Sequence, residues 1–124
     1  MTIGYWCVLA MILLPFLFAV IAKFGMKLED NRNPREFLET KQGMKKRANW
    51  TQQNTFEALP GFIGAVIISH LAGGEQNQID TLAVIYVFLR ISYGFAYIFD
   101  KPTLRSVLWL LSIGCIIGLF VIAN

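Results

Sequence analysis

Long apolar runs alternate with short polar connections along the chain. The twenty residues from Ile3 to Ala22 carry no charge, and Val107 to Ala123 is a second charge-free run. About 20 apolar residues, rising about 1.5 Å each, cross the roughly 30 Å of bilayer hydrocarbon. Asn49 to Ala72 and Ile79 to Phe99 have the length and apolar content of spans, although each contains strongly polar residues. The pattern predicts four transmembrane helices.

The first polar connection contains a helix start. Asn33 suits the N-cap, Pro34 suits the first helical position, and Glu36 is placed to complete a capping box. Gly43 is a natural helix end. A short interfacial helix over 34–42 is therefore predicted, and a folded connector is favoured there over a binding role.

Composition agrees with a membrane protein of one domain, residues 1–124. Hydrophobic residues make up 56% of the chain and charged residues 15%, whereas soluble domains have about 25% charged residues. The first run has no basic residues before it and no small-residue cleavage site after it, so it is expected to remain as the first helix. Cys7 and Cys115 lie singly in apolar runs and the chain has one histidine, which argues for packing cysteines and against a zinc site.

The basic residues are unevenly distributed. Lysines and arginines cluster between Lys23 and Arg47 and recur at Lys101 and Arg105, but the N-terminus and the connection 73–80 have none. The positive-inside rule then predicts that the first and third connections face the cytoplasm and that both termini face away. Because the basic cluster is juxtamembrane and mixed with acidic residues, no nucleic-acid partner is expected.

Two ionisable residues fall inside predicted spans. An ionised group at the bilayer centre costs at least about 2.5 to 3.5 kcal/mol, so it rarely faces lipid. Glu57 and Arg90 each lie ten residues, about 15 Å, from the cytoplasmic end of their helix. A buried ion pair between them is predicted, with Asn54 one turn nearer the cytoplasm on the face of Glu57.

Further polar groups converge on the same half of the bundle. Tyr93 and Tyr97 follow Arg90 at helical spacing, and Arg105 and Ser106 begin the fourth helix at that end. These groups are compatible with a hydrogen-bond network that only joins helices. The surplus cation Arg105 beside aromatic rings instead favours an anionic ligand.

The order of these residues resembles the MAPEG family, the membrane-associated proteins in eicosanoid and glutathione metabolism. The motifs that carry the resemblance are Arg47-Ala48, Asn54-Thr55-Phe56-Glu57, Arg90-Ile91-Ser92-Tyr93 with Tyr97, and Leu104-Arg105-Ser106. The resemblance implies an all-α, integral membrane four-helix bundle that forms a homotrimer in contact with membrane lipids. It also implies glutathione as cosubstrate, bound between subunits near the cytoplasmic face.

Site roles follow from the same resemblance. Arg105 is expected to stabilise the glutathione thiolate and Ser106 to assist it. The residues expected to hold the tripeptide are Asn54, Glu57, Arg90, Tyr93 and Tyr97. The turn Asn33-Pro34-Arg35 is similar to that of short bacterial members, which implies a prokaryotic inner membrane.

Three departures from the family pattern narrow the range of expected activities: the connection from Tyr97 to Arg105 is short, and two residues differ. Gln53 stands where some eicosanoid enzymes have an arginine, and Trp109 stands where a tyrosine can follow the Arg-Ser pair. These departures argue against leukotriene or prostaglandin synthesis and for a general transferase or peroxidase with a lipophilic small-molecule substrate. A non-catalytic trimer that binds lipid or acts as a scaffold is the alternative, because a fold does not fix an activity.

Overall fold

The computed structural model describes all 124 residues, and it contains helices and no strands. Its helices are α1 (Ile3–Lys23), a 3-10 helix (Leu28–Arg32), α2 (Pro34–Glu39), α3 (Gly43–Leu71), α4 (Gln76–Ile98) and α5 (Pro102–Val121). Helix α3 packs against α1, α4 and α5, and α4 packs against both α1 and α5. The prediction of an all-helical chain is confirmed.

Three of the long helices are capable of crossing a membrane. Helices α1, α4 and α5 have the length and apolar composition of spans. Helix α3 does not have this composition, because lysines and an arginine crowd its first turns and Gln52, Gln53, Asn54 and Glu57 follow them. Its 29 residues extend about 43 Å, more than the roughly 30 Å of hydrocarbon. The structure therefore supports three spans, and the fourth stays a prediction.

Aromatic rings fill the centre of the helix packing. Phe62 of α3 stacks on Tyr86 of α4 with ring centroids 4.1 Å apart and planes 4° apart. The ring of Phe18, from α1, lies directly over Gly94 of α4, where an added Cβ would overlap it. Without a strong hydrophobic driving force between helices in lipid, such close packing is a main source of helix association.

Polar contacts tie the helix ends together. At one end of the bundle, the backbone N–H of Gly4 donates to Oδ1 of Asp80 at 2.8 Å, which joins α1 to α4. At the other end, Nε of Arg47 donates to the carbonyl of Ile98 at 2.9 Å. Arg47 thus satisfies a terminal carbonyl of α4 that has no partner within its own helix.

The turn between α4 and α5 has a defined geometry. Asp100 adopts a left-handed conformation with φ 58°, which Asp tolerates better than most residues. The N–H of Lys101 bonds to the carbonyl of Ala96 at 2.8 Å and that of Asp100 to Tyr97 at 3.2 Å, the two bonds of a Schellman motif. Pro102 then opens α5. Helix α5 consequently starts beside the last turn of α4.

The connecting helix differs from its prediction in three respects. Helix α2 ends at Glu39 instead of residue 42, and Asn33 makes no side-chain capping bond, so the predicted capping box with Glu36 is wrong. Asn33 also ends the preceding 3-10 helix, and its N–H bonds to the carbonyl of Asp30. That bond fixes the backbone of Asn33 at φ −131°, ψ 71°. Gly43, with φ 63°, begins α3 and does not terminate α2.

Gly94→Ala is expected to lower the free energy of unfolding by about 1 to 3 kcal/mol, because its methyl group overlaps the Phe18 ring. Gly114→Ala is the matched control, since a Cβ there meets nothing within 4 Å. The control should be neutral or stabilising by up to about 1 kcal/mol. Thermal unfolding in detergent measures both changes. Equal effects at the two positions would contradict the packing of Phe18 on Gly94.

Candidate functional site

A cavity of about 740 Å³ lies between α3, α4 and α5 near the turn that joins the last two helices. This volume is in the usual range for small-molecule sites. We call it the main cavity, and its walls are Trp50, Gln53, Asn54, Glu57, Tyr93, Tyr97, Arg105, Ser106, Trp109 and Leu110.

The main cavity brings together six of the seven residues that the sequence indicated. They are Asn54, Glu57, Tyr93, Tyr97, Arg105 and Ser106. The seventh, Arg90, lines a smaller cavity of about 240 Å³, which we call the inner compartment. The two cavities share Asn54, Glu57 and Trp109 as walls. The indicated residues therefore form one contiguous region.

Arg90 is the most deeply buried charged residue, with 1% of its surface exposed. Its Nη2 donates to Oδ1 of Asn54 at 2.7 Å, and its guanidinium carbon lies 4.2 Å from the ring centre of Tyr93. Its Nε has no hydrogen-bond partner. The structure thus compensates this cation with an amide and an aromatic face.

The predicted ion pair between Glu57 and Arg90 is wrong. Arg90 bonds to Asn54, while Glu57 is exposed at the walls of both cavities. Depth along the helices cannot distinguish two acceptors that lie one turn apart on one face. The carboxylate keeps its solvation in the open cavity and avoids the desolvation cost of a buried ion pair.

Two tyrosine rings form the α4 side of the main cavity, and the cation Arg105 of α5 lies over one of them. Tyr93 contacts Tyr97 edge to face, with centroids 5.9 Å apart. The guanidinium carbon of Arg105 lies 4.5 Å from the ring centre of Tyr97, within cation–π range. Arg105 is half-buried and has this ring, not a carboxylate, as its neighbour. Its positive charge is therefore available to a ligand.

Helical spacing explains how these groups meet. Arg90, Tyr93 and Tyr97 follow one another at three and four residues on α4, so they share a face. Arg105 and Ser106 lie in the first turns of α5, where the helix dipole adds partial positive charge. Glu57 supplies negative charge from α3. The main cavity is therefore cationic on the α5 side, aromatic on the α4 side and anionic on the α3 side.

Four wall residues were not among the predicted site residues: Trp50, Gln53, Trp109 and Leu110. Each lies four residues from a predicted member on the same helix, so the helical period could have identified all of them. Trp50 packs near Tyr97, with ring centroids 6.4 Å apart.

Comparison with known proteins gives one family. The model of the MAPEG family matches residues 3–123 of this chain. That match includes every helix and every wall residue of both cavities. No curated protein sequence and no solved structure gives a significant match.

Asn54→Leu is expected to lower the free energy of unfolding by about 1.5 to 3 kcal/mol, because a buried guanidinium loses its hydrogen-bond acceptor. Glu57→Gln, one turn away, should change the free energy of unfolding by less than about 0.5 kcal/mol, because substitutions at exposed positions have small effects. Thermal unfolding in detergent without added ligand compares the two variants. If Glu57→Gln lowered the free energy of unfolding more than Asn54→Leu, the result would support the ion pair between Glu57 and Arg90.

Proposed function

The chain belongs to the MAPEG family, and we propose that it is a glutathione-dependent membrane transferase or peroxidase acting on lipophilic electrophiles. Family membership and the three apolar helices make it a membrane protein connected with glutathione or eicosanoid metabolism. The particular activity, the thiol and the residue roles below are the proposal.

The observation that carries the proposal is the guanidinium of Arg105, which rests on Tyr97 beside an open cavity. A free thiol has a pKa near 8.5 and reacts as the thiolate. A fixed cation favours the charged form and lowers the pKa of a bound thiol, and the nearby hydroxyl of Ser106 adds a donor. Arg105 is therefore the proposed thiolate stabiliser, assisted by Ser106.

The charges of the two cavities suit the rest of the tripeptide. Glutathione carries carboxylates at both ends and an ammonium at one end. Arg90 offers a guanidinium group, which suits a carboxylate, and Glu57 offers a carboxylate for the ammonium. Asn54, Tyr93 and Tyr97 add hydrogen-bonding groups. In this assignment, these residues hold glutathione while Arg105 and Ser106 face its sulfur.

Conjugation then needs no further cofactor. The thiolate sulfur attacks an electrophilic carbon, an S–C bond forms, and the leaving group departs with the bonding electron pair. The thiol proton is lost to water through the main cavity. Exposed apolar wall residues such as Leu110, 65% exposed, give a lipid-dissolved electrophile access from the side of the membrane.

The proposed assembly is a homotrimer of one four-span domain, residues 1–124, in the inner membrane of a prokaryotic cell with both termini outside the cytoplasm. Support comes from the large apolar side chains that α1 leaves exposed, such as Trp6 at 56%, Leu13 at 55% and Val20 at 65%. These side chains need lipid or a neighbouring subunit around them.

A non-catalytic trimer that binds lipid or acts as a scaffold remains the second candidate. It is favoured by the apolar part of the main cavity, where Trp109 and Leu110 are 45% and 65% exposed. Lipid that copurifies with the protein, in the absence of any thiolate signal, would support it.

Arg105→Ala is expected to abolish the ultraviolet absorbance of glutathione thiolate at neutral pH and to lower kcat by about 100-fold or more, as removal of one charge-stabilising donor does. Lys101→Ala is the control, since it removes an exposed cation from the same turn but not from the cavity walls. Stopped-flow absorbance with purified protein measures the thiolate. An undiminished signal in Arg105→Ala would refute the assigned role.

A further inference from the structure

The segment between the end of α1 and the first turns of α3 carries most of the positive charge of the chain. Residues 23–47 contain eight lysines and arginines against four acidic residues, a net charge of +4, whereas the whole chain has +3. Helix α1 has the composition of a span and ends at Lys23. The segment therefore begins at the level where the hydrocarbon of a bilayer meets the lipid headgroups.

Two large apolar side chains are exposed in this charged segment. Phe24 follows α1 directly and is 76% exposed, and Leu28 begins the 3-10 helix and is 92% exposed. Neither belongs to the hydrophobic core. Exposure of such side chains to water is unfavourable, whereas their burial at the boundary between headgroups and acyl chains is favourable. Phe24 and Leu28 thus suit contact with a lipid surface.

A groove of about 470 Å³ lies along the 3-10 helix, and its walls are Lys27, Leu28, Glu29 and Arg32. Two cations therefore accompany one carboxylate and one apolar side chain. The next carboxylate, Asp30, accepts a hydrogen bond from the backbone N–H of Lys27 at 3.1 Å. The groove has a net positive charge beside an exposed leucine, which matches the anionic headgroup and the acyl chains of an acidic phospholipid.

Lys45 holds the start of the segment against α3. Its Nζ donates to the carbonyl of Phe24 at 2.6 Å, and a Cβ at Gly25 would lie 3.6 Å from the same atom. An ammonium group has three donors, and a neutral carbonyl does not cancel its charge. Lys45 therefore positions Phe24 while its own charge stays available to an anion.

We propose that Lys27, Arg32 and Lys45 bind the headgroup of an anionic phospholipid, while Phe24 and Leu28 insert at the level of its acyl chains. We call these five residues the lipid-binding patch. A phosphodiester accepts hydrogen bonds from both ammonium and guanidinium groups. A soluble anion would leave the two apolar side chains in water, so the patch as a whole favours a lipid. This lipid selectivity does not depend on the proposed glutathione chemistry.

The test is a titration of the purified chain in detergent with phosphatidylglycerol and, separately, with phosphatidylcholine, in which native mass spectrometry measures the bound lipid. A basic residue near an anionic lipid surface contributes up to about fivefold in affinity. The wild type should therefore prefer phosphatidylglycerol by about 10-fold or more. Lys27→Gln/Arg32→Gln should lower this preference by about fivefold or more. A wild type without any preference would overturn the proposal.

Lys46→Gln/Lys101→Gln is the matched control, because it removes two cations from the side of the main cavity. Nζ of Lys46 lies 5.1 Å from the ring centre of Trp50, and Lys101 is in the turn between α4 and α5. The control should keep the wild-type preference. An equal loss in both double variants would overturn the proposal, since net charge would then explain the binding. Size-exclusion profiles verify folding, and if Lys27→Gln/Arg32→Gln fails to fold, Lys27→Gln alone decides.

Two further measurements identify the class of ligand. Phe24→Ser/Leu28→Ser should weaken the binding of both lipids by a similar factor and keep the preference for phosphatidylglycerol. Glycerol 3-phosphate, which has the anionic group without acyl chains, and a polyglutamate peptide should not displace phosphatidylglycerol. Displacement by either one would overturn the assignment to lipid, in favour of a soluble anion or an acidic protein. Unchanged lipid affinity in Phe24→Ser/Leu28→Ser would also contradict it.

Discussion

The buried guanidinium of Arg90 imposes the strongest constraint on this fold. A cation in a low-dielectric environment is stable only if neighbouring groups replace its lost hydration. Here the replacement comes from the amide of Asn54, at 2.7 Å, and the face of Tyr93, at 4.2 Å. Since Asn54 is on α3 and Arg90 is on α4, this compensation also fixes how the two helices face each other. The cavities on either side of Asn54 depend on that arrangement.

The position of Arg105 follows from a second, local constraint. The Schellman motif at Asp100 and the proline that follows it allow only a short turn between α4 and α5. That turn brings the start of α5 next to Tyr97, the last aromatic residue of the series that begins at Tyr93. A cation on the first turns of α5 therefore lies over the last ring of this series. Backbone geometry and side-chain stacking together give Arg105 its place in the cavity wall.

Residues that share a helix face were predictable, and contacts that depend on rotation between helices were not. The period of 3.6 grouped Tyr93 and Tyr97 with Arg90, and the apolar runs located the long helices. The partner of Arg90 was missed, because Asn54 and Glu57 lie on one face at nearly the same depth. The capping box at Asn33 was predicted wrongly for a different reason. The backbone of Asn33 ends a 3-10 helix. A sequence motif of four residues does not show that the preceding helix already determines the conformation of its first residue.

The helices that pack against α3 explain its low hydropathy. Helices α1, α4 and α5 pass a composition criterion for membrane spans, whereas α3 does not, although α3 contacts all three of them. Polar side chains are costly on a membrane helix where they face lipid. Asn54 and Glu57 instead face cavities enclosed with α4 and α5, so α3 can carry them without that cost. Local departure from the apolar pattern is expected where a protein holds a functional site. The same residues that make α3 a poor span by composition are therefore the ones that make it the polar wall of the site.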